Sequence, residues 1–209
     1  MSEYRHPVIG LDVDGVILDY VSGFMKYAAS RGVRIGCDPD KVDSWSMSAA
    51  FPDLDDDAIW KMIEEFSEDD GFGRLAPFEG ALETISELIR EFPDNPLVAI
   101  TSAGKSETTK RLRAESLSSI PFRAIHVLPL GESKELHLSK LPEGSLYVDD
   151  LMKNIVAAEK VGLTGIFVRR SYNTADDHSR VAHDWSDIAR HIREIIAPAP
   201  VKQIASVAI

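Results

Sequence analysis

The chain has 209 residues, 44% of them hydrophobic, which is enough for one large globular domain or for a domain with an insertion. Its formal net charge of −11 argues against a nucleic-acid polymer as a partner, because no cluster of Lys and Arg offers a track for phosphates. A small phosphorylated substrate needs only a few local cations, so the charge does not exclude one.

Cysteine content and hydropathy predict the compartment. Cys37 is the only cysteine, so a disulfide within the chain is impossible and a reducing cytoplasm is the expected location. The polar segment 1–7 does not begin a signal peptide, and no apolar run approaches the roughly 18 residues of a membrane span. We therefore expect a cytoplasmic protein that does not attach to membranes.

The first predicted strand is the apolar run Val8–Leu11, because a short continuous apolar run fits a strand covered on both faces. A helical pattern follows and ends at Gly32, and residues 33–54 look irregular. A second amphipathic helix then presents one apolar face, formed by Ile59, Met62, Ile63 and Phe66. We predict that residues 18–78 form a small helical insertion.

Beyond the insertion, predicted helices and strands alternate. Apolar runs predict further strands at 97–100, 122–128, 145–148 and 164–168, and the last helix is predicted from Trp185 to Ile196. This alternation implies an α/β fold, with a parallel sheet covered by helices on both faces. The predicted domains are a core formed by 1–17 and 79–196, the insertion 18–78, and a C-terminal tail, 197–209.

Two acids, Asp12 and Asp14, directly follow the first strand. In an extended chain residues i and i+2 point the same way, and Gly15 then allows a sharp turn. Two carboxylates held close together favour either one retained proton or a bound cation. Taken alone, the segment is also compatible with an ordinary acidic turn.

Two more strands end in polar pairs, Thr101-Ser102 and Asp149-Asp150. Ligands of parallel sheets bind beyond the carboxyl ends of the strands, so we expect all three pairs to meet at one edge. Such all-oxygen ligands select a hard cation such as magnesium, and hydroxyls near a helix N-terminus suit phosphate oxygens. A transferring phosphoryl group also needs a cationic side chain, for which Lys134 and Lys140 are the candidates.

The motifs Asp12-Val13-Asp14-Gly15-Val16, Thr101, a lysine and Asp149-Asp150, in this order, resemble those of the haloacid dehalogenase-like phosphohydrolases. The resemblance implies a Rossmann-like core with strand order 3-2-1-4-5 and a helical cap after the first strand, where 18–78 lies. Within that superfamily, the cap position, the segment Leu75–Ala81 and the paired acids look like the small 5′-nucleotidases that act on deoxyribonucleotides.

The resemblance also implies catalytic and metal-binding roles. Asp12 would be the nucleophile, and Asp14 the general acid that protonates the leaving oxygen and later activates water. Magnesium would be held by the Asp12 carboxylate, the main-chain carbonyl of Asp14 and Asp150, with Asp149 acting through a water. Asn154 stands where many members carry a further acid, so one acidic group fewer would surround the metal ligands.

For the phosphate, the resemblance implies binding by Thr101 with help from Ser102. The family usually places its lysine at the start of the segment after the third strand, which selects Lys134, although Lys140 is nearer in sequence to Asp149. Lys134 is therefore predicted to bind phosphate together with the two hydroxyl residues.

The function implied is that of a magnesium-dependent phosphomonoesterase acting through an aspartyl-phosphate, with a nucleoside monophosphate as the leading substrate. The alternatives are a phosphatase of a sugar phosphate or another small metabolite, phosphoryl transfer to a second substrate, and a catalytically silent phosphate-binding module. Four side chains of the predicted cap could either stack on a base or form the cap's own core: Trp45, Met47, Phe51 and Phe72. The sequence leaves open whether the chain forms a homo-oligomer.

Overall fold

The structure is a computed structural model that describes residues 4–196, so the predicted tail, 197–209, lies outside the described residues. Within them one sheet of six parallel strands is formed by β1 (Ile9–Leu11), β2 (Leu97–Ser102), β3 (Ala124–Leu128), β4 (Leu146–Asp149), β5 (Thr164–Val168) and β6 (Val181–Ala182). The strand order is β3-β2-β1-β4-β5-β6. The predicted α/β class with its doubly wound parallel sheet is confirmed, and the first five strands have the order implied by the resemblance.

The central strands of the sheet are buried along almost their whole length, which explains why they are continuously apolar, and they pack closely together. Gly10 of β1 pairs in register with Val98 of β2 and Tyr147 of β4. A Cβ atom at Gly10 would lie 2.9 Å from Cδ2 of Tyr147, so the strands can pack this closely only around a glycine. β6 was not predicted, because two residues are too few to show a periodic pattern.

The described part of the chain contains seven α-helices: α1 (Tyr20–Ser30), α2 (Asp56–Phe66), α3 (Ala81–Glu91), α4 (Glu107–Ser116), α5 (Glu135–Leu138), α6 (Met152–Lys160) and α7 (Trp185–Ile196). In the sequence, α1 and α2 come between β1 and β2, as expected for a helical cap inserted after the first strand. The exact domain limits at 17/18 and 78/79 stay a prediction. None of the helices in the described range is both long and apolar enough to span a membrane.

Aromatic rings fill the interior between α1 and α2. Phe66 of α2 is fully buried, and its ring centroid lies 5.6 Å from that of Phe24 and 5.7 Å from that of Phe72. Phe51 packs edge-on against Phe24 at 5.3 Å. Three of the four cap side chains considered for base stacking, Met47, Phe51 and Phe72, therefore belong to the buried hydrophobic core, whereas Trp45 is exposed.

Candidate active site

The carboxyl ends of β1 and β2 open onto one cavity of about 370 Å³. Its lining includes five of the predicted site residues, namely Asp12, Asp14, Thr101, Ser102 and Lys134. The other two are Asp149, the last residue of β4, and Asp150, which directly follows it, and both are almost completely buried. The structure thus brings all three polar pairs to one edge of the sheet, as the parallel topology requires.

Lys134 lies at the centre of this group and links two carboxylates. Its Nζ atom is 2.8 Å from Oδ1 of Asp12 and 2.8 Å from Oδ2 of Asp149, and the residue is only 2% exposed. Burial lowers the pKa of Lys134, but the two carboxylates outweigh this effect and the net pKa is raised. Lys140, the other candidate, is exposed on the surface. The structure therefore places Lys134 beside the nucleophile candidate.

Protein donors hold both carboxylate oxygens of Asp149. The side-chain amide of Asn154 donates to each of them at 3.0 Å, and the main-chain N–H of Leu151 donates to Oδ1 at 2.8 Å. Asn154, which replaces the expected acid, thus fixes the carboxylate that in turn accepts from Lys134. Both oxygens of Asp149 are thus occupied by hydrogen bonds from the protein, including the one from Lys134.

Asp12, Asp149 and Asp150 form a buried acidic cluster, with one carboxylate oxygen from each lying within 4.8 Å of the others. Burial raises the pKa of Asp12 to about 7, with Lys134 opposing the rise and Asp149 adding to it. Burial likewise raises the pKa of Asp150 well above its usual value, and the other two carboxylates contribute. A hard divalent cation offsets the repulsion between crowded, desolvated carboxylates of this kind.

The donor set fits such a cation. Oδ1 of Asp150 is buried and has no hydrogen-bond partner among the described residues, while Oδ2 accepts a short hydrogen bond from the Tyr172 hydroxyl. Asn173 donates to the main-chain carbonyl of Asp150 at 2.7 Å and so fixes the backbone there. An oriented carboxylate with one free oxygen beside Asp12 is a suitable magnesium ligand.

The candidate phosphate ligands differ in their availability. The hydroxyl of Thr101 is fully buried and has no partner among the described residues. The hydroxyl of Ser102 is more exposed and donates to the main-chain carbonyl of Glu132 at 3.4 Å. A buried hydroxyl without a hydrogen-bond partner costs free energy. A hydrogen bond from Thr101 to a phosphate oxygen would remove that cost.

The opposite wall of the cavity is largely apolar and aromatic. Trp45 and Trp60 both line it and remain 42% and 49% exposed, respectively. Met47, also on the lining, is buried and takes a positive φ of 56°. A ligand bound here would therefore contact carboxylates and a lysine at one end and flat aromatic surface at the other.

Sequence reasoning missed several residues that contact the predicted site. Arg113 of α4 forms an ion pair with Asp14, and Arg170 donates to the main-chain carbonyl of Gly15 at 2.7 Å. Arg170 and the Tyr172 hydroxyl lie just after β5, so the strand-end rule applied to the fifth strand would have drawn attention to that segment. No local pattern marks Arg113, because it sits in a polar helix and reaches Asp14 across 99 residues of sequence.

Comparison with known proteins settles the family. The sequence model of the family described as "5′ nucleotidase, deoxy (Pyrimidine), cytosolic type C protein" matches residues 6–199. The chain belongs to this family. The resemblance to the 5′-nucleotidase type of haloacid dehalogenase-like hydrolases is thereby confirmed. No curated protein matches the chain.

Solved structures agree on the fold at low sequence identity. A haloacid dehalogenase-like hydrolase from Streptococcus pneumoniae matches with a TM-score of 0.61 at 18% identity, covering 89% of this chain and 98% of that one. CbbY from Rhodobacter sphaeroides, solved in complex with phosphate, gives 0.55 at 18%, covering 90% and 99%. A haloacid dehalogenase-superfamily hydrolase from Ehrlichia chaffeensis gives 0.53 at 16%, covering 93% and 100%. This 5′-nucleotidase family member therefore has the fold of the haloacid dehalogenase superfamily.

Proposed function

We propose that this 5′-nucleotidase family member is a magnesium-dependent phosphomonoesterase that acts through an aspartyl-phosphate on Asp12. The observation that carries the proposal is the contact of Lys134 with both Asp12 and Asp149, next to the unpartnered hydroxyl of Thr101. A cation and a free hydroxyl beside a carboxylate nucleophile form a site that fits the oxygens of a phosphoryl group.

The proposed reaction has two steps. An Asp12 carboxylate oxygen attacks phosphorus, the bond from phosphorus to the ester oxygen breaks, and Asp14 gives its proton to that oxygen. Water then attacks the phosphorus of the aspartyl-phosphate while Asp14 takes a proton from the water, which releases inorganic phosphate and regenerates Asp12. Lys134 and Thr101 bind the phosphoryl oxygens throughout.

Asp12 and Asp150 would hold the magnesium ion directly, together with the main-chain carbonyl of Asp14. Asp149 would act through a water, since both of its oxygens already accept protein hydrogen bonds. When bound, the ion supplies positive charge that offsets the carboxylates and the phosphoryl oxygens. The supporting observation is the buried acidic cluster with its free Asp150 oxygen.

We further propose a nucleoside monophosphate as the substrate and the cytoplasm as the compartment. The matching family is described as a cytosolic nucleotidase of deoxy pyrimidine compounds, which supports both statements. The exposed faces of Trp45 and Trp60 in the cavity provide flat apolar surface on which a base can stack. A sugar phosphate, which lacks a flat ring, would make less use of that wall.

Hydrolysis of p-nitrophenyl phosphate tests the proposed chemistry. We expect turnover that requires magnesium, is abolished in Asp12→Asn and is retained in the matched exposed variant Asp57→Asn. Binding of phosphate without any turnover in the presence of magnesium would instead identify a silent binding module.

A panel of nucleoside monophosphates and sugar phosphates then tests the substrate class. We expect kcat/KM to be highest for a nucleoside monophosphate, and Trp60→Ala to reduce it for nucleotides more than for sugar phosphates. A preference for sugar phosphates would contradict the substrate proposal and leave the proposed reaction intact.

A further inference from the structure

Arg113 is a fully buried arginine whose one charged partner is Asp14, among the contacts that the described residues show. Its Nη2 atom lies 2.5 Å from Oδ2 of Asp14, and its side chain has no exposure to solvent. The Nε and Nη1 atoms of Arg113 have no hydrogen-bond partner in the described range. Burying a guanidinium with a single acceptor costs free energy, so this pair is a poor device for stabilising the fold alone.

The guanidinium is held in place from the side of the predicted cap. Its central carbon lies 4.2 Å from the ring centroid of Phe72, which is itself buried against Phe66. The turn that contains Phe72 packs closely on α4, because a Cβ atom at Gly73 would lie only 3.0 Å from Cδ2 of Leu112. Arg113 therefore has little freedom to move away from Asp14.

The two oxygens of Asp14 differ as a result. Oδ2 is fixed by Arg113, whereas Oδ1 is buried without a hydrogen-bond partner among the described residues. Asp14 also lines the cavity beside Asp12. A carboxyl group anchored at one oxygen presents the other in a fixed direction, which is what proton transfer to a bound substrate needs.

We propose that Arg113 is the positioning residue of the general acid: by holding Oδ2 it aims Oδ1 of Asp14 at the leaving oxygen of the substrate. This inference rests on the proposed phosphatase function. It predicts that Arg113 matters most where protonation of the leaving group matters most. p-Nitrophenolate leaves readily without a proton, whereas the alkoxide of a nucleoside does not.

The test is the dependence of kcat/KM on the leaving group, since kcat/KM reports the steps up to the first irreversible bond cleavage. Phosphate monoesters with leaving alcohols of increasing pKa are compared for the wild type, Arg113→Met and Arg113→Lys. In Arg113→Met we expect kcat/KM to fall about 100-fold for a nucleoside monophosphate and less than about 5-fold for p-nitrophenyl phosphate. Arg113→Lys, which keeps a cation, should recover part of the loss.

Arg111→Met is the matched control, since Arg111 lies on the same helix but is exposed and pairs with Glu115. It should leave the leaving-group dependence unchanged. An equal loss for all leaving groups in Arg113→Met would assign Arg113 a purely structural role and overturn the inference, as would no loss at all. Asp12→Asn inactivates all substrates if the proposed function is right, so an active Asp12→Asn would refute that function separately.

Discussion

At the scale of single residues, Lys134 decides the charge balance of the site. It is almost completely buried between Asp12 and Asp149, which are themselves nearly inaccessible to solvent. Removing the cation would leave two buried carboxylates to repel each other and an incoming phosphate.

We predict that Lys134→Met lowers kcat/KM for a phosphate monoester by about 100-fold or more, because the transition state loses a buried cation. Steady-state kinetics in saturating magnesium measures this loss. Lys140→Met is the control, since Lys140 is exposed and should leave kcat/KM within about 2-fold of wild type. Comparable losses in both variants would mean that Lys134 is not the lysine of the active site.

Sequence reasoning at this scale predicted the residues that the structure brings together at one sheet edge, and it left the choice between the two lysines to a family pattern. The structural reason for the choice is geometric. Lys134 directly precedes the short helix α5 and contacts Asp12 and Asp149 at the sheet edge, whereas Lys140 follows that helix on the surface. No local sequence pattern could have identified Arg113, because only the packing of α4 brings it to Asp14.

At the scale of elements, the loop after β1 is built around Gly15, which adopts a φ of +78°. A Cβ atom there would lie 2.2 Å from Oδ2 of Asp150 and 2.6 Å from the hydroxyl of Tyr172. The loop therefore leaves room for the hydrogen bond between Tyr172 and Asp150 only if residue 15 has no side chain.

Gly15→Ala should displace Asp150 and raise the magnesium concentration needed for half-maximal activity by about 10-fold or more. Magnesium titrations of activity measure this. Gly32→Ala provides the comparison, because Gly32 has a similar φ of +81° but nothing within 4 Å of the added Cβ. It should cost about 1 kcal/mol of stability through backbone strain alone, with no change in the magnesium requirement. If the two variants behaved alike, crowding at Asp150 would not be the cause.

At the scale of the whole molecule, we expect the acidic cluster to make stability depend on pH and on magnesium. Burial raises the pKa of Asp12 from its ordinary value of 3.8 to about 7 in the folded protein. Between these values the native state binds more protons than the unfolded state. This contribution to stability is complete below pH 3.8 and is lost as the pH rises through 7.

Asp12→Asn cannot lose a proton, so it should escape this pH-dependent loss of stability. The melting temperature of the metal-free variant minus that of the metal-free wild type should therefore increase by more than about 2 °C between pH 5 and pH 8. Thermal unfolding in the presence of a chelator measures this gap. Added magnesium should stabilise the wild type more at pH 8 than at pH 5, because the ion binds the ionised carboxylates. A gap that does not change with pH would contradict the raised pKa of Asp12.

Apolar runs were enough to predict the α/β class and the sheet edge at which the three polar pairs meet, because such runs identify buried strands and parallel strands place their carboxyl ends together. The order of the first five strands was implied by the family resemblance and not by the pattern of the residues. The folded structure was needed to show that Tyr172 binds Asp150 and that Arg113 holds Asp14. These two contacts join side chains from separate elements, 22 and 99 residues apart, and the packing of those elements has no periodic trace in the sequence. Asp149 is instead held locally, by the side chain of Asn154 and the main-chain N–H of Leu151.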